Sequence, residues 1–107
     1  PQLALEMGDF QKAEEGAERL ARLGESTAAV RYNIGLARQK SGSHQEASRH
    51  YRRALEEKPA FSEALVNLGH SLRALGDEPE ARRVWRQAVE EKPELADTHF
   101  AKFTPQA

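Results

Sequence analysis

Four histidines, several paired carboxylates and two regularly spaced asparagines carry most of the reactive chemistry in this 107-residue chain. His44 and His50 are six residues apart and do not share one helical face, while His70 and His99 fall in different segments. No pair has the HxxxH or HExxH spacing that sets two imidazoles beside each other, so neither a metal nor another cofactor is expected. Glu14 and Glu15, Glu56 and Glu57, and Glu90 and Glu91 are adjacent in sequence. Neighbours on a helix point about 100° apart, which does not aim two carboxylates at one substrate. The serines and threonines have no base and orienting group at a recognisable spacing, and the glycines are isolated, so no phosphate loop is present. These residues predict a protein that is not an enzyme.

Composition narrows the remaining classes. Hydrophobic residues make up 38% and charged residues 31%, which suits a helical protein with a wet surface and not a disordered tail. Sixteen basic residues face seventeen acidic ones, so nucleic acid meets no global attraction. With no cysteine, disulfides, thiolate metal sites and cysteine nucleophiles are excluded. No run approaches the roughly 20 apolar residues that cross a bilayer, and no signal peptide is visible. Membrane insertion is therefore not expected, and a cytoplasmic location is slightly favoured over others.

What must position the polar residues is a repeat. Gly8, Gly42 and Gly76 are separated by 34 residues, as are Ala13, Ala47 and Ala81. Asn33 and Asn67, Gly35 and Gly69, Ala54 and Ala88, and Pro59 and Pro93 keep the same interval. Residues 28–61 laid over 62–95 without a gap are identical at 12 of 34 positions. A period of this length marks a supersecondary unit that completes its core by stacking on its neighbours.

Within each unit the residues spell two helices. Leu65, Leu68, Leu72 and Leu75 recur every three or four positions and form one apolar stripe. Gly76 then ends the helix, Asp77 and Glu80 make a capping-box pattern with Pro79 in the first turn, and Ala81, Val84, Trp85, Ala88 and Val89 form the next stripe. Pro93 stops that second helix near Lys92. Ser43 and Glu46 are expected to repeat the cap one unit earlier, with Ala47, Tyr51, Ala54 and Leu55 inward and helices over about 27–41 and 44–57. Ahead of them, 10–23 reads as the second helix of an incomplete unit capped by Asp9, with Ala13, Ala17 and Leu20 inward; 1–7 end its first helix. Glu94 to Phe103 reads as the start of another helix. The single domain thus comprises a partial repeat over 1–27, full repeats over 28–61 and 62–95, and a partial or capping helix over 96–107. Gly35 with Ala47, and Gly69 with Ala81, are expected to let paired backbones approach closely.

The residues Asn33, Ile34, Gly35, Ala47, Tyr51, Ala54 and Pro59, and then Leu65, Leu68, Gly69, Leu72, Ala81, Trp85, Ala88 and Pro93, make a pattern that resembles the tetratricopeptide repeat. The resemblance covers nearly the whole chain and implies an all-α superhelix, a solenoid of stacked antiparallel helical hairpins. Arg31 and Arg38 depart from it where large apolar or aromatic residues are usual, and Leu20 replaces a small residue; this implies either imperfect packing in the first full unit or arginine stems lying across apolar neighbours with their charged ends exposed. The resemblance also implies a non-catalytic module in which the first helices line a concave groove for a peptide or partner segment. Tyr32, Asn33, Leu36 and Lys40 from one helix, Glu63, Val66, Asn67, His70 and Arg73 from the next, and Asp97 and Phe100 beyond them are the positions this assigns to the groove. An asparagine amide pairs with both groups of a peptide backbone whatever its side chains, which singles out Asn33 and Asn67. Where some family members clamp a terminal carboxylate with basic residues, this chain has Ala29, Glu63 and Asp97, which speaks against such a clamp.

Two other surfaces compete with the groove. Arg49, Arg52 and Arg53 recur in phase with Arg82, Arg83 and Arg86 as a ridge that could meet phosphate, but the nearby glutamates favour local ion pairing, and nucleic acid is not an expected partner. The alternative function is a self-assembly scaffold, a homo-oligomer joined through open solenoid ends by Phe100 and Phe103.

Overall fold

A computed structural model describes residues 10–98. It contains α1 (Phe10–Arg22), α2 (Ala28–Lys40), α3 (His44–Glu57), α4 (Ser62–Ala74), α5 (Glu78–Glu91) and the single turn α6 (Leu95–Thr98). Successive helices pack on each other, α2 with α3, α3 with α4 and α4 with α5, so the all-α hairpin stack is observed. The expectations for Asp9, for residues 1–7 and for Phe100 and Phe103 fall outside the described residues.

The helix ends follow from the residues placed there. Gly76 has φ +91°, a left-handed conformation that costs glycine nothing. With it, the Gly76 amide donates to the Arg73 carbonyl and the Asp77 amide to the Leu72 carbonyl at 2.9 Å each, the two bonds of a Schellman turn. Gly42 closes α2 with the same pair of bonds, to Gln39 and Arg38. Asp77 then caps α5 by accepting from the Glu80 amide at 3.3 Å. Neither expected capping box closes: the Glu80 side chain is held by Arg83 while the Asp77 amide donates to Leu72, and Ser43 makes no side-chain cap bond at α3, where Glu46 is held by Arg49. Asp77→Ala is accordingly expected to cost about 1 kcal/mol in urea unfolding followed by circular dichroism, and Ser43→Ala only a few tenths.

The core runs between the two full units. Tyr51, Ala47, Leu65, Leu68, Leu72, Ala81, Val84, Trp85 and Ala88 form one buried cluster, with Tyr32, Leu36 and Phe61 packed at its margin. Leu75 does not join it: the last residue of the expected stripe lies just past α4 and is 47% exposed. The repeated glycines also act differently from expectation. A Cβ on Gly35 would lie 2.6 Å from the Tyr51 ring, and one on Gly69 only 2.0 Å from Trp85 Nε1, so each glycine makes room for an aromatic ring from the second helix. Trp85 uses that room to donate to the Val66 carbonyl at 3.0 Å.

The first full unit carries polar residues in apolar slots. Arg31, Arg38 and His50 stand where the second unit has Leu65, Leu72 and Val84. Arg31 is 4% exposed, so its charged end is buried and not at the surface as expected, and burial lowers its pKa. Arg38 lies across the Phe10 ring at 4.0 Å and holds α1 to α2.

Candidate functional site

The expected groove residues divide into those the stack has used and those it presents. Tyr32 on α2 is half-buried, with its ring 4.9 Å from Phe61 and 5.8 Å from Tyr51. Its hydroxyl accepts from Asn67 Nδ2 on α4 at 3.2 Å, and the same amide nitrogen donates to the Glu63 carbonyl at 3.0 Å. Tyr32 and Asn67 thereby tie the two first helices together. Val66 is a correction to the expected set: its side chain is buried in the core and its carbonyl is taken by Trp85, so it offers no contact surface. Leu36 is half-buried against the same core.

Asn33, Lys40, Glu63, His70 and Arg73 are exposed. His70 meets the Trp85 ring edge-on at 5.4 Å, and Arg73 reaches Glu78 at 3.6 Å. What α2 and α4 present is thus a polar surface of mixed sign over a half-buried aromatic and aliphatic floor. Phe100 lies outside the described residues.

The outer, second-helix face is laced by ion pairs. Arg83 pairs with Glu80 one turn away, Arg52 reaches the same Glu80 from α3 at 3.6 Å, and Arg82 sits 3.6 Å from Glu78. The Arg83 contact holds the Glu80 carboxyl below its ordinary range. With Arg49 held by Glu46, local pairing thus engages four of the six arginines of the expected basic ridge. A cleft of about 320 Å³ opens beside them between Arg52, Leu55, Leu65, Arg83 and Val84.

Glu57, at the end of α3, was indistinguishable in sequence from the other paired glutamates. Its carboxylate accepts from Ser26 Oγ at 2.6 Å, from Thr27 Oγ1 at 2.7 Å, and from the Thr27 and Ala28 amides at 2.8 and 3.2 Å. A residue 30 positions away therefore caps α2. Hydrogen bonds from Ser26 and Thr27 bring its pKa down to about 2 from an ordinary 4.5. The corresponding residues before α4 are Ala60 and Phe61, which have no hydroxyl, so this clamp belongs to one unit. Because the folded pKa is depressed, its contribution is complete above pH 4.5, is lost as pH falls toward 2, and is absent below. Glu57→Gln should lower the thermal midpoint at neutral pH and flatten its fall between pH 4.5 and 2 relative to the parent.

A second polar cluster joins α1 to α3. His50 is fully buried, and its Nε2 lies 3.0 Å from Glu14 Oε2. Glu46, one turn before His50, and Arg38, 3.7 Å from Glu14, complete the group. Spacing between histidines missed it because one partner is a carboxylate from the preceding helix. The available signal was the phase match of His50 to Val84, which places an imidazole in a buried slot.

Comparison with known proteins places this geometry. A family model described as "Tetratricopeptide repeat" matches residues 2–60 and 32–96. Among solved structures, "Crystal structure of MamA protein" superposes with a TM-score of 0.65 at 25% identity, covering 92% of this chain and 54% of that one. The chain thus spans about half the length of that neighbour. No curated protein matches it.

Proposed function

The chain belongs to the tetratricopeptide-repeat family, whose repeats generally mediate protein–protein interactions, and from that premise we propose that it holds an extended peptide or partner segment along α2 and α4. The observation that carries this reading is the coupling of α2 to α4 through Tyr32 and Asn67, which fixes the exposed Asn33, Glu63 and His70 on neighbouring first helices. A rigid pair of helices presenting hydrogen-bonding groups over an apolar floor can bind a backbone with little ordering cost. Asn33 takes the amide-pairing role, because the Asn67 nitrogen is already engaged within the stack. No catalytic role is assigned to any residue, in keeping with a family that is generally non-catalytic.

The test is selection of peptides from a random library, followed by mapping of the bound surface through amide chemical-shift changes. Shifts should concentrate on α2 and α4, and Asn33→Ala should weaken a selected peptide by about tenfold, the loss of a contact worth more than 1 kcal/mol. Shifts confined to α3 and α5, with Asn33→Ala binding as tightly as the parent, would defeat this reading. The competing scaffold reading draws on Leu23, which is 69% exposed at the end of α1. Sedimentation equilibrium separates the two, since a concentration-dependent mass that Leu23→Lys abolishes belongs to self-assembly alone.

A further inference from the structure

We propose that Glu14, Glu46 and His50 form a binding site for a divalent transition-metal ion of the zinc class, tying α1 to α3. One donor atom from each residue lies within 4.8 Å of the other two. An ion bonded at 2.0–2.2 Å to nitrogen and oxygen in tetrahedral geometry holds its donors roughly 3.4 Å apart. His50 Nε2 and Glu14 Oε2, at 3.0 Å, already stand near that separation, and Glu46, within 4.8 Å of both, is near enough to complete the set. One imidazole with two carboxylates is a borderline set that suits zinc, cobalt or nickel and not magnesium or calcium. The fourth position falls to water.

One further observation favours the site. His50 is fully buried, its Nε2 faces Glu14, and its Nδ1, the other ring nitrogen, has no hydrogen-bond partner among the described residues, so the ring proton that a metal displaces from Nε2 can move there. The opposing groups are Arg38, 3.7 Å from Glu14, Arg49, which pairs with Glu46, and the buried Arg31, whose charge acts on His50 and Glu14. Arg49 is half-exposed and can turn into solvent, because a surface pair of this kind contributes at most about 1 kcal/mol. It competes directly with the ion for Glu46, and this gives the proposal a signature that adventitious binding to surface histidines lacks.

The experiment titrates the whole chain with zinc chloride in a non-chelating buffer at neutral pH by calorimetry, with cobalt(II) absorption as a second readout. The parent should bind one zinc ion saturably and show intense visible cobalt bands of a four-coordinate site. Glu14→Gln and Glu46→Gln should each weaken binding at least about tenfold, and His50→Gln should abolish it. Arg49→Gln should tighten it severalfold, a gain that neither loss of fold nor surface binding produces. Should His50→Gln fail to fold, the glutamate variants and Arg49→Gln decide the matter. Absence of saturable zinc binding by the parent overturns the proposal, as does an affinity unmoved by Glu46→Gln and Arg49→Gln.

Discussion

Gly69→Ala is expected to destabilise the chain by about 2–3 kcal/mol, although alanine is favoured over glycine by about 1 kcal/mol inside a helix. The added Cβ would fall 2.0 Å from Trp85 Nε1 and 2.5 Å from two neighbouring ring atoms, far inside any real contact. Trp85 cannot yield cheaply. It is 4% exposed, and retreat breaks its bond to the Val66 carbonyl while opening space in a packed core. Gly35→Ala should cost less, about 1 kcal/mol, because its closest approach is 2.6 Å and the Tyr51 hydroxyl is bonded to the Gln39 side chain, which can follow it. Urea unfolding gives both values. Trp85 is the one tryptophan in the sequence, so its fluorescence reports displacement in Gly69→Ala directly. A variant with unaltered emission and unchanged stability would mean that the ring does not depend on the missing Cβ.

The same glycines show where sequence reasoning succeeds and where it stops. The 34-residue period, the stop signals at Pro59 and Pro93 and the start signals at Asp77 and Pro79 were enough to place Ala28–Lys40, His44–Glu57 and Glu78–Glu91 within a residue or so, because caps and breakers act locally, whereas the start of Ser62–Ala74 was not assigned. Which group fills the space at Gly69 depends on a residue 16 positions later and on the crossing of two helices, so backbone approach was inferred where a ring is found. The groove residues divide similarly. Their positions on the first helices follow from phase, but the burial of Val66 and the engagement of Asn67 by Tyr32 are set by how one unit stacks on the next. The Glu57 clamp joins residues 29 or more positions apart, and the contact that brings Glu14 to His50 spans 36, where spacing within a helix carries no signal.

Tyr51→Ala should cost about 3–5 kcal/mol and should divide the chain instead of simply lowering its stability. In a linear array each unit is held by its own packing and by its neighbours, so the weaker unit opens first. The first full unit is the weaker one: Arg31, Arg38 and His50 occupy the slots that Leu65, Leu72 and Val84 fill in the second. A buried arginine and a partly satisfied imidazole contribute less than the aliphatic side chains they replace. Tyr51 is the fully buried ring that links this unit to the main cluster, and it is also the ring against which Tyr32 packs. Without it, α1, α2 and α3 should lose amide protection in hydrogen exchange while α4 and α5, joined by Trp85 through the Val66 carbonyl, keep theirs. Trp85→Ala gives the reverse test. It removes the ring at the centre of the stronger unit, and the remainder has too little apolar contact to stand alone, so exchange should become uniformly fast in all five long helices. If Tyr51→Ala instead lost protection evenly along the chain, the two units would have to be coupled more tightly than their polar substitutions predict.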